Sequence, residues 1–228
     1  MVNTVNPVIV AIDGPSGTGK SSTSRAVAEK LGLRYLDTGA MYRAITWWML
    51  SNGVDVGDPV AIADQAGKPT LVSGTDPAAP TITVDGVDAA GPIRSQEVTA
   101  AVSAVSAVPE VRARLVELQR AAVAVAIDGI VVEGRDIGTT VLPRATVKIF
   151  LTASAEARAA RRSGELNGAV TVADTRADLI RRDAADSTRT ASPLAKAADA
   201  VEVDTTELTL TQVIEHIVTL VEEKRTGS

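Results

Sequence analysis

Gly14-Pro15-Ser16-Gly17-Thr18-Gly19-Lys20-Ser21 constrains the fold of this chain more than any other stretch. It fits the pattern G-x-x-x-x-G-K-[S/T]. The run Val8–Ile12 before it is apolar and rich in β-branched residues, which predicts a strand buried on both faces, as in a parallel sheet. Ser22–Leu31 after it predicts a helix, with Val27 and Leu31 one turn apart and Gly32 placed to end it. Strand, glycine-rich loop and helix in that order make a cradle for phosphate. Glycines let successive N–H groups converge on one concavity. The helix N-terminus adds partial positive charge. Lys20 can reach the outermost phosphates, and the Ser21 hydroxyl can bind Mg²⁺. An ordinary glycine-rich turn would not need the whole pattern in this setting.

The 228 residues suffice for one α/β domain with an insertion, or at most two small domains. Apolar residues make up 45% and aromatics 2%, so the core must be aliphatic. A net charge of -5 disfavours bulk attraction to nucleic acid or anionic membrane, so any anion needs a local basic cluster. The absence of cysteine excludes disulfides, thiolate metal ligands and thiol nucleophiles. The N-terminus lacks a basic leader region and its apolar run feeds the phosphate loop, which reads as core strand and not signal peptide. No apolar run approaches the length of a membrane span. The expectation is a cytoplasmic protein.

Arg34–Leu36 predicts a second strand, and a helix follows to about Leu50, with Thr38 as its expected N-cap and Gly53 past its end. Arg43 lies about one turn in, where spacing alone favours a solvated charge. Trp47 and Trp48 read as packing. From Val54 to Gly91, Gly, Pro and Asp cluster around two alternating runs, Thr70–Val72 and Thr81–Val84, with Asp85-Gly86 as a tight-turn signal. A small antiparallel sheet is expected there. Val98, Val102, Val105 and Val108 repeat at helical spacing, and Pro109 opens a second helix running to Ala126. Gly129–Asp136 reads as a buried strand ending in a charged turn, Glu133-Gly134-Arg135-Asp136. In open α/β sheets ligands bind beyond the carboxyl ends of strands, so this turn is a candidate site. Val147–Leu151 and Ala200–Asp204 predict further strands.

Glu156–Arg162 and Asp174–Ala185 predict two arginine-bearing helices joined by a break at Ser163–Ala169. In an acidic chain such a cluster needs either an anion or paired carboxylates. A lid closing over polyphosphate and a solvated helical hairpin both fit. Thr211–Lys224 predicts a terminal helix, and its His216, the only histidine, reads as a surface residue. A guanine-clamp Asn-Lys-x-Asp is missing, and so is an apolar strand ending in Asp-Glu, which argues against a GTPase and a motor ATPase. A kinase of small molecules fits, because it must exclude water from the transferred group. A nucleotide switch and a sugar or sugar-acid kinase remain as alternatives.

The blocks I-D-G-P-S-G-T-G-K-S-S, L-D-T-G-A-M-Y-R, G-P-I-R-S-Q-E-V, V-P-E-V-R, E-G-R-D-I-G-T, V-K-I-F-L-T-A-S, R-R-D and A-D-A-V resemble those of the bacterial cytidylate kinases, in the nucleoside monophosphate kinase family of P-loop kinases. The resemblance implies an α/β fold: a parallel sheet flanked by helices, a small antiparallel-sheet insert and a helical lid. It implies a core over 1–62 and 104–228, a lid at about 158–189 and a nucleoside monophosphate insert over 63–103. The implied reaction moves the ATP γ-phosphate to CMP or dCMP with Mg²⁺, in a monomer. Gly14, Pro15, Ser16, Gly17, Thr18, Gly19, Lys20, Ser21 and Ser22 would hold the ATP phosphates, with Ser21 on the metal and Pro193 and Leu194 near the adenine. Arg43 and Arg135 would take the CMP phosphate, with Thr38 close by, and Ser103, Arg112 and Asp136 would read the cytosine. Arg182 and Asp186 would contact the sugar, and Arg189 the sugar–phosphate region. Lys20, Arg135, Arg158 and Arg162 would act on the transferring group. The lid between Arg162 and Arg182 has no Lys and is shorter than in some members of the family.

Overall fold

A computed structural model describes residues 7–165 and 170–226. Strand β1 (Ile9–Asp13) leads through the phosphate loop into helix α1 (Lys20–Leu31), which ends at Gly32 in the left-handed conformation. β2 (Arg34–Asp37) and α2 (Thr38–Ser51) follow, then α3 (Pro59–Gln65) and the short strands β3 (Leu71–Ser73), β4 (Ile82–Val84) and β5 (Val87–Asp88). A 3₁₀ turn at Pro92–Arg94 precedes α4 (Gln96–Ala107) and α5 (Pro109–Ala124). β6 (Ile130–Gly134) runs into a π-helical turn at Ile137–Val141, then β7 (Val147–Thr152). The chain closes with α6 (Ala155–Glu165), α7 (Val172–Thr188), β8 (Val201–Asp204) and α8 (Leu210–Thr226). Of the break expected at 163–169, residues 163–165 continue α6 and 166–169 lie outside the described residues.

The main sheet has the order β2-β6-β1-β7-β8, and all its pairings are parallel. Alternation along each strand divides the core in two. Val10, Ile12, Tyr35, Val131, Ile149 and Leu151 face α1 and α8, where Val27, Ala28, Ile217 and Val221 cover them. Ala11, Leu36, Ile130 and Val132 face Met41, Ala44, Ile45 and Met49 of α2 and Leu115 of α5. Both faces are covered, which is why these strands read as unbroken apolar runs.

The expected small sheet is present, antiparallel in the order β3-β4-β5. Asp85 and Gly86 turn β4 into β5 with φ of 51° and 81°, the backbone of a two-residue hairpin turn. Asp85 also ties this sheet to its neighbours, accepting from Trp48 Nε1 at 2.8 Å and from Thr70 N at 2.7 Å. Leu71, Ile82 and Val84 belong to the same apolar cluster as Leu36 and Ile130 of the main sheet.

Two further features differ from expectation. The N-cap of α2 is Asp37, whose carboxylate accepts from Ala40 N at 2.8 Å, and not Thr38. A carboxylate at that position satisfies an orphan helix N–H, and Thr38 is freed to donate to Glu133 O at 2.6 Å. Helix α3 lies inside the segment expected to hold only strands. It is seven residues long and buries Ile62 alone, too little for a visible periodicity, although Asp58 as N-cap and Pro59 in the first turn are ordinary start signals.

Candidate active site

The phosphate loop bends where its backbone leaves no room for side chains. Gly14 has φ of 148°, and a Cβ there would lie 2.2 Å from Leu151 O of β7. Gly17 has φ of 80°, and its Cβ would lie 3.0 Å from Arg158 Cβ. Lys20 is 9% exposed, and its ammonium donates to Pro15 O at 2.7 Å, closing the loop on itself. Burial and the Arg135 guanidinium lower the pKa of Lys20, against the opposing pull of Glu133 and Asp13. A cation held under that strain is relieved by an added anion. Thr18 is buried and donates to Pro15 O at 3.1 Å, so it shapes the loop from behind.

Beside the loop, the carboxyl end of β6 places Glu133 against Ser21, whose hydroxyl donates to Glu133 Oε2 at 3.1 Å. Tyr35 OH donates to Glu133 Oε1. Burial and the charge of Asp37 push the Glu133 carboxyl upward, while the two hydroxyl donors and Lys20 work the other way.

The turn after β6 carries Arg135 and Asp136. Asp13, the last residue of β1, accepts from Ile137 N at 2.8 Å and Gly138 N at 2.7 Å and so pins that turn to the foot of the phosphate loop. Arg135 reaches back, donating from Nη1 to Gly14 O at 2.6 Å and from Nε to Asp186 Oδ2 of α7 at 2.8 Å. Asp136 is buried and paired with Arg112 of α5, while Arg189 Nη2 lies 3.5 Å from its other oxygen. Arg112 Nη1 donates to Ser106 O at 3.2 Å, and its guanidinium lies 5.4 Å from the centroid of the Tyr42 ring.

Helix α7 supplies Arg182, Asp183 and Asp186. Asp183 pairs with Arg158 of α6, whose Nη1 also donates to Ser16 O at 3.2 Å. Arg43 donates to Thr99 Oγ1 at 3.0 Å. Burial, with Arg182 and Arg162 close by, pulls Arg43 down to about 10. Burial and Arg135 lower Arg182 as well, and its Nε finds no hydrogen-bond partner among the described residues. Crowded, desolvated cations of this kind mark an anion site.

These elements enclose a cleft of about 630 Å³. Lys20, Arg25, Arg43, Arg94, Arg112, Arg135, Arg162, Arg182 and Arg189 line it, against Asp37, Glu133, Asp136 and Asp186. A basic cleft in a chain of net charge -5 is the local cluster that an anionic ligand requires. Of the residues singled out in the sequence, Ser16, Gly17, Gly19, Ser21, Ser22, Thr38 and Ser103 also line this space. Gly14, Pro15, Thr18, Arg158, Pro193 and Leu194 do not. Gly14 and Pro15 offer carbonyls to Arg135 and Lys20, Arg158 underlies Ser16, and Leu194 N donates to Asp186 O at 2.8 Å. Sequence reasoning missed Asp13, Tyr35, Asp37 and Asp183 as site residues, and marked Glu133 only as part of a charged turn. Asp13 carried a signal, a carboxylate ending a buried strand; Tyr35 looked like core.

The family model for cytidylate kinase matches residues 10–223. A cytidylate kinase of Streptomyces avermitilis is 75% identical, over 97% of this chain and 96% of that protein. One from Streptomyces coelicolor is 76% identical, over 98% of this chain and 96% of that protein. Among solved structures, an uncharacterized protein from Eubacterium ventriosum shares the fold, with a TM-score of 0.52 at 11% identity over 95% of this chain and 98% of that one.

Proposed function

The chain belongs to the cytidylate kinase family, and on that premise we propose that it transfers the γ-phosphoryl group of ATP to CMP or dCMP, giving CDP or dCDP, in pyrimidine nucleotide metabolism. The observation that carries this reading is one cleft lined both by the phosphate loop and by the buried Arg112–Asp136 pair. The first suits a polyphosphate donor. The second suits a base with both donors and acceptors on its edge: a carboxylate accepts from cytosine N4, while Arg112 and Ser103 donate to N3 and O2.

In this reading Gly14, Pro15, Ser16, Gly17, Thr18, Gly19, Lys20, Ser21 and Ser22 hold the ATP phosphates, with Pro193 and Leu194 toward the adenine. Arg43 and Arg135 take the CMP phosphate with Thr38 close by, Arg182 and Asp186 the sugar, and Arg189 the sugar–phosphate region. Residues 63–103 act as the nucleoside monophosphate insert and about 158–189 as the lid. An oxygen of the CMP phosphate attacks the γ-phosphorus in line as the bond to the bridging oxygen of ADP breaks. That oxygen is already anionic near neutral pH, so no general base is needed. Positioning and charge neutralisation supply the catalysis. Lys20 and Arg135, with Arg158 and Arg162 from the lid, act on the equatorial and leaving oxygens.

Mg²⁺ fits the donor set beside the loop. Ser21 Oγ and the Glu133 carboxylate, 3.1 Å apart, are hard oxygen donors, and Mg²⁺ is usually held by one or two protein oxygens together with phosphates and water. When bound, it neutralises charge on the β- and γ-phosphates. Among the described residues no helix is long and apolar enough to cross a membrane. We place the activity in the cytoplasm, in a single chain acting on free nucleotides, without nucleic-acid or membrane partners.

ADP release measured with ATP and a panel of acceptors tests the reading. CMP and dCMP should each drive rapid release, and UMP, AMP, a hexose and a sugar acid should not. Release that ignores the acceptor would mark a switch protein, and release driven by a sugar or sugar acid would mark another kinase.

A further inference from the structure

Tyr35 does more than fill volume. It lies on β2 among the side chains covered by α1 and α8 and is 1% exposed. A phenylalanine would satisfy that packing, so the phenolic oxygen is what calls for an account. Its O–H donates across the sheet to Glu133 Oε1, and the other oxygen of the same carboxylate accepts from Ser21 Oγ at 3.1 Å. β2 and β6 are in register, with Asp37 opposite Glu133. A strand end fixes where a glutamate begins, but its rotatable bonds leave the direction of the carboxylate open. The bond from Tyr35 engages one oxygen and turns the other toward the loop.

We propose that Tyr35 is a positioning residue that orients the Glu133 carboxylate toward Ser21, so that the two side chains present a formed face to the divalent cation that enters with the nucleotide phosphates. This inference rests on the assignment of Ser21 to the cation made above. Partners that fix the orientation of metal-binding side chains typically contribute on the order of 10- to 100-fold in metal affinity.

Tyr35→Phe keeps the ring and removes one oxygen. The readout is equilibrium binding of a fluorescent ADP analogue, in Mg²⁺ and in excess EDTA, so that turnover does not enter. The affinity in EDTA should stay near the wild-type value, and the gain on adding Mg²⁺ should fall by on the order of tenfold. In a Glu133→Ala background, Tyr35→Phe should lower that gain no further, because it acts through the side chain of residue 133. The double variant also leaves no buried charge without its donor, which keeps the test open should the single variant fold poorly. Ser21→Ala tests the underlying assignment. If Ser21→Ala lowers the Mg²⁺ gain and Tyr35→Phe does not, the role of Tyr35 is overturned and the cation site stands. If neither lowers it, both fall. An equal loss in Mg²⁺ and in EDTA also overturns the proposal, since Tyr35 would then shape the loop and not the cation face.

Discussion

At the scale of single residues, the sharpest test of the proposed base selection falls on Asp136. Uracil presents an oxygen where cytosine presents its amino group, and a donor where cytosine accepts. Sites built on hydrogen-bond readout reject such analogues by on the order of 10⁴. Asp136→Asn should narrow the ratio of kcat/KM for CMP over UMP, because an amide can turn its N–H₂ toward O4. CMP itself should be used more slowly, since a charge-assisted bond is lost. Arg112 keeps an amide oxygen and Ser106 O as acceptors but loses its buried counter-charge, so stability should also fall. The ratio is insensitive to how much enzyme is folded, and an unchanged ratio would restrict Asp136 to holding Arg112. Asp13 gives a second test. Burial raises its pKa from 3.8 to about 6, although the N–H groups of Gly138 and Ile137 oppose the rise. The native state therefore holds this proton more tightly than the unfolded chain. Its contribution is fully present below about pH 4, where both states are protonated, and is lost as pH rises to about 6. Two pH units at about 1.4 kcal/mol each give about 3 kcal/mol. Asp13→Asn should flatten that part of a urea-unfolding profile taken from pH 4 to 7, and an identical slope would rule the account out.

At the scale of elements, α7 grips the phosphate loop through two arginines. Asp183 holds Arg158, which donates to Ser16 O; Asp186, one turn on, holds Arg135, which donates to Gly14 O. Both guanidinium groups are thus occupied by carboxylates and loop carbonyls, partners that a phosphoryl group can replace. Arg158→Ala and Arg162→Ala should lower kcat by on the order of 10² while raising the KM for CMP much less, as expected of contacts that strengthen in the transition state. Steady-state kinetics at saturating ATP decides this, and a pure KM effect would make them ground-state phosphate binders. The two arginine-bearing helices were legible in the sequence, because runs of Ala, Arg, Glu and Leu favour helix through local backbone propensity. Their carboxylate partners were not, since an Asp on a helix looks the same whether it meets water or an arginine from another helix.

At the scale of the molecule, the small sheet is no satellite. Ile82 is 3% exposed, within the cluster that includes Leu36, Ile45 and Ile130. Ile82→Ala should cost about 2–5 kcal/mol and shift the unfolding of the whole chain. Tryptophan fluorescence and far-UV circular dichroism should then give coincident urea transitions, as one cooperative unit requires. An early fluorescence transition, reporting α2 and the small sheet alone, would show instead that the insert unfolds by itself. A further contact supports the single unit: Tyr35 N donates to Thr75 O at 2.9 Å, so the segment after β3 shields the open edge of β2.

The sequence by itself determined the phosphate loop, the parallel strands and most helices, because glycine placement, apolar runs and 3.6-residue spacing are local consequences of backbone geometry. The motif blocks likewise identified the family. What the tertiary structure alone decided is which distant groups meet. Strand order β2-β6-β1-β7-β8 sets the ends of β1, β2 and β6 side by side, and only that order brings Asp13 to the turn after Asp136 and Tyr35 to Glu133. The cap of α2 passed from Thr38 to Asp37 for a similar reason, as Thr38 found a carbonyl on β6. Hydrogen bonds across 98 or 124 residues of chain leave no periodicity, because their partners are chosen by the packing of the sheet and not by the backbone between them.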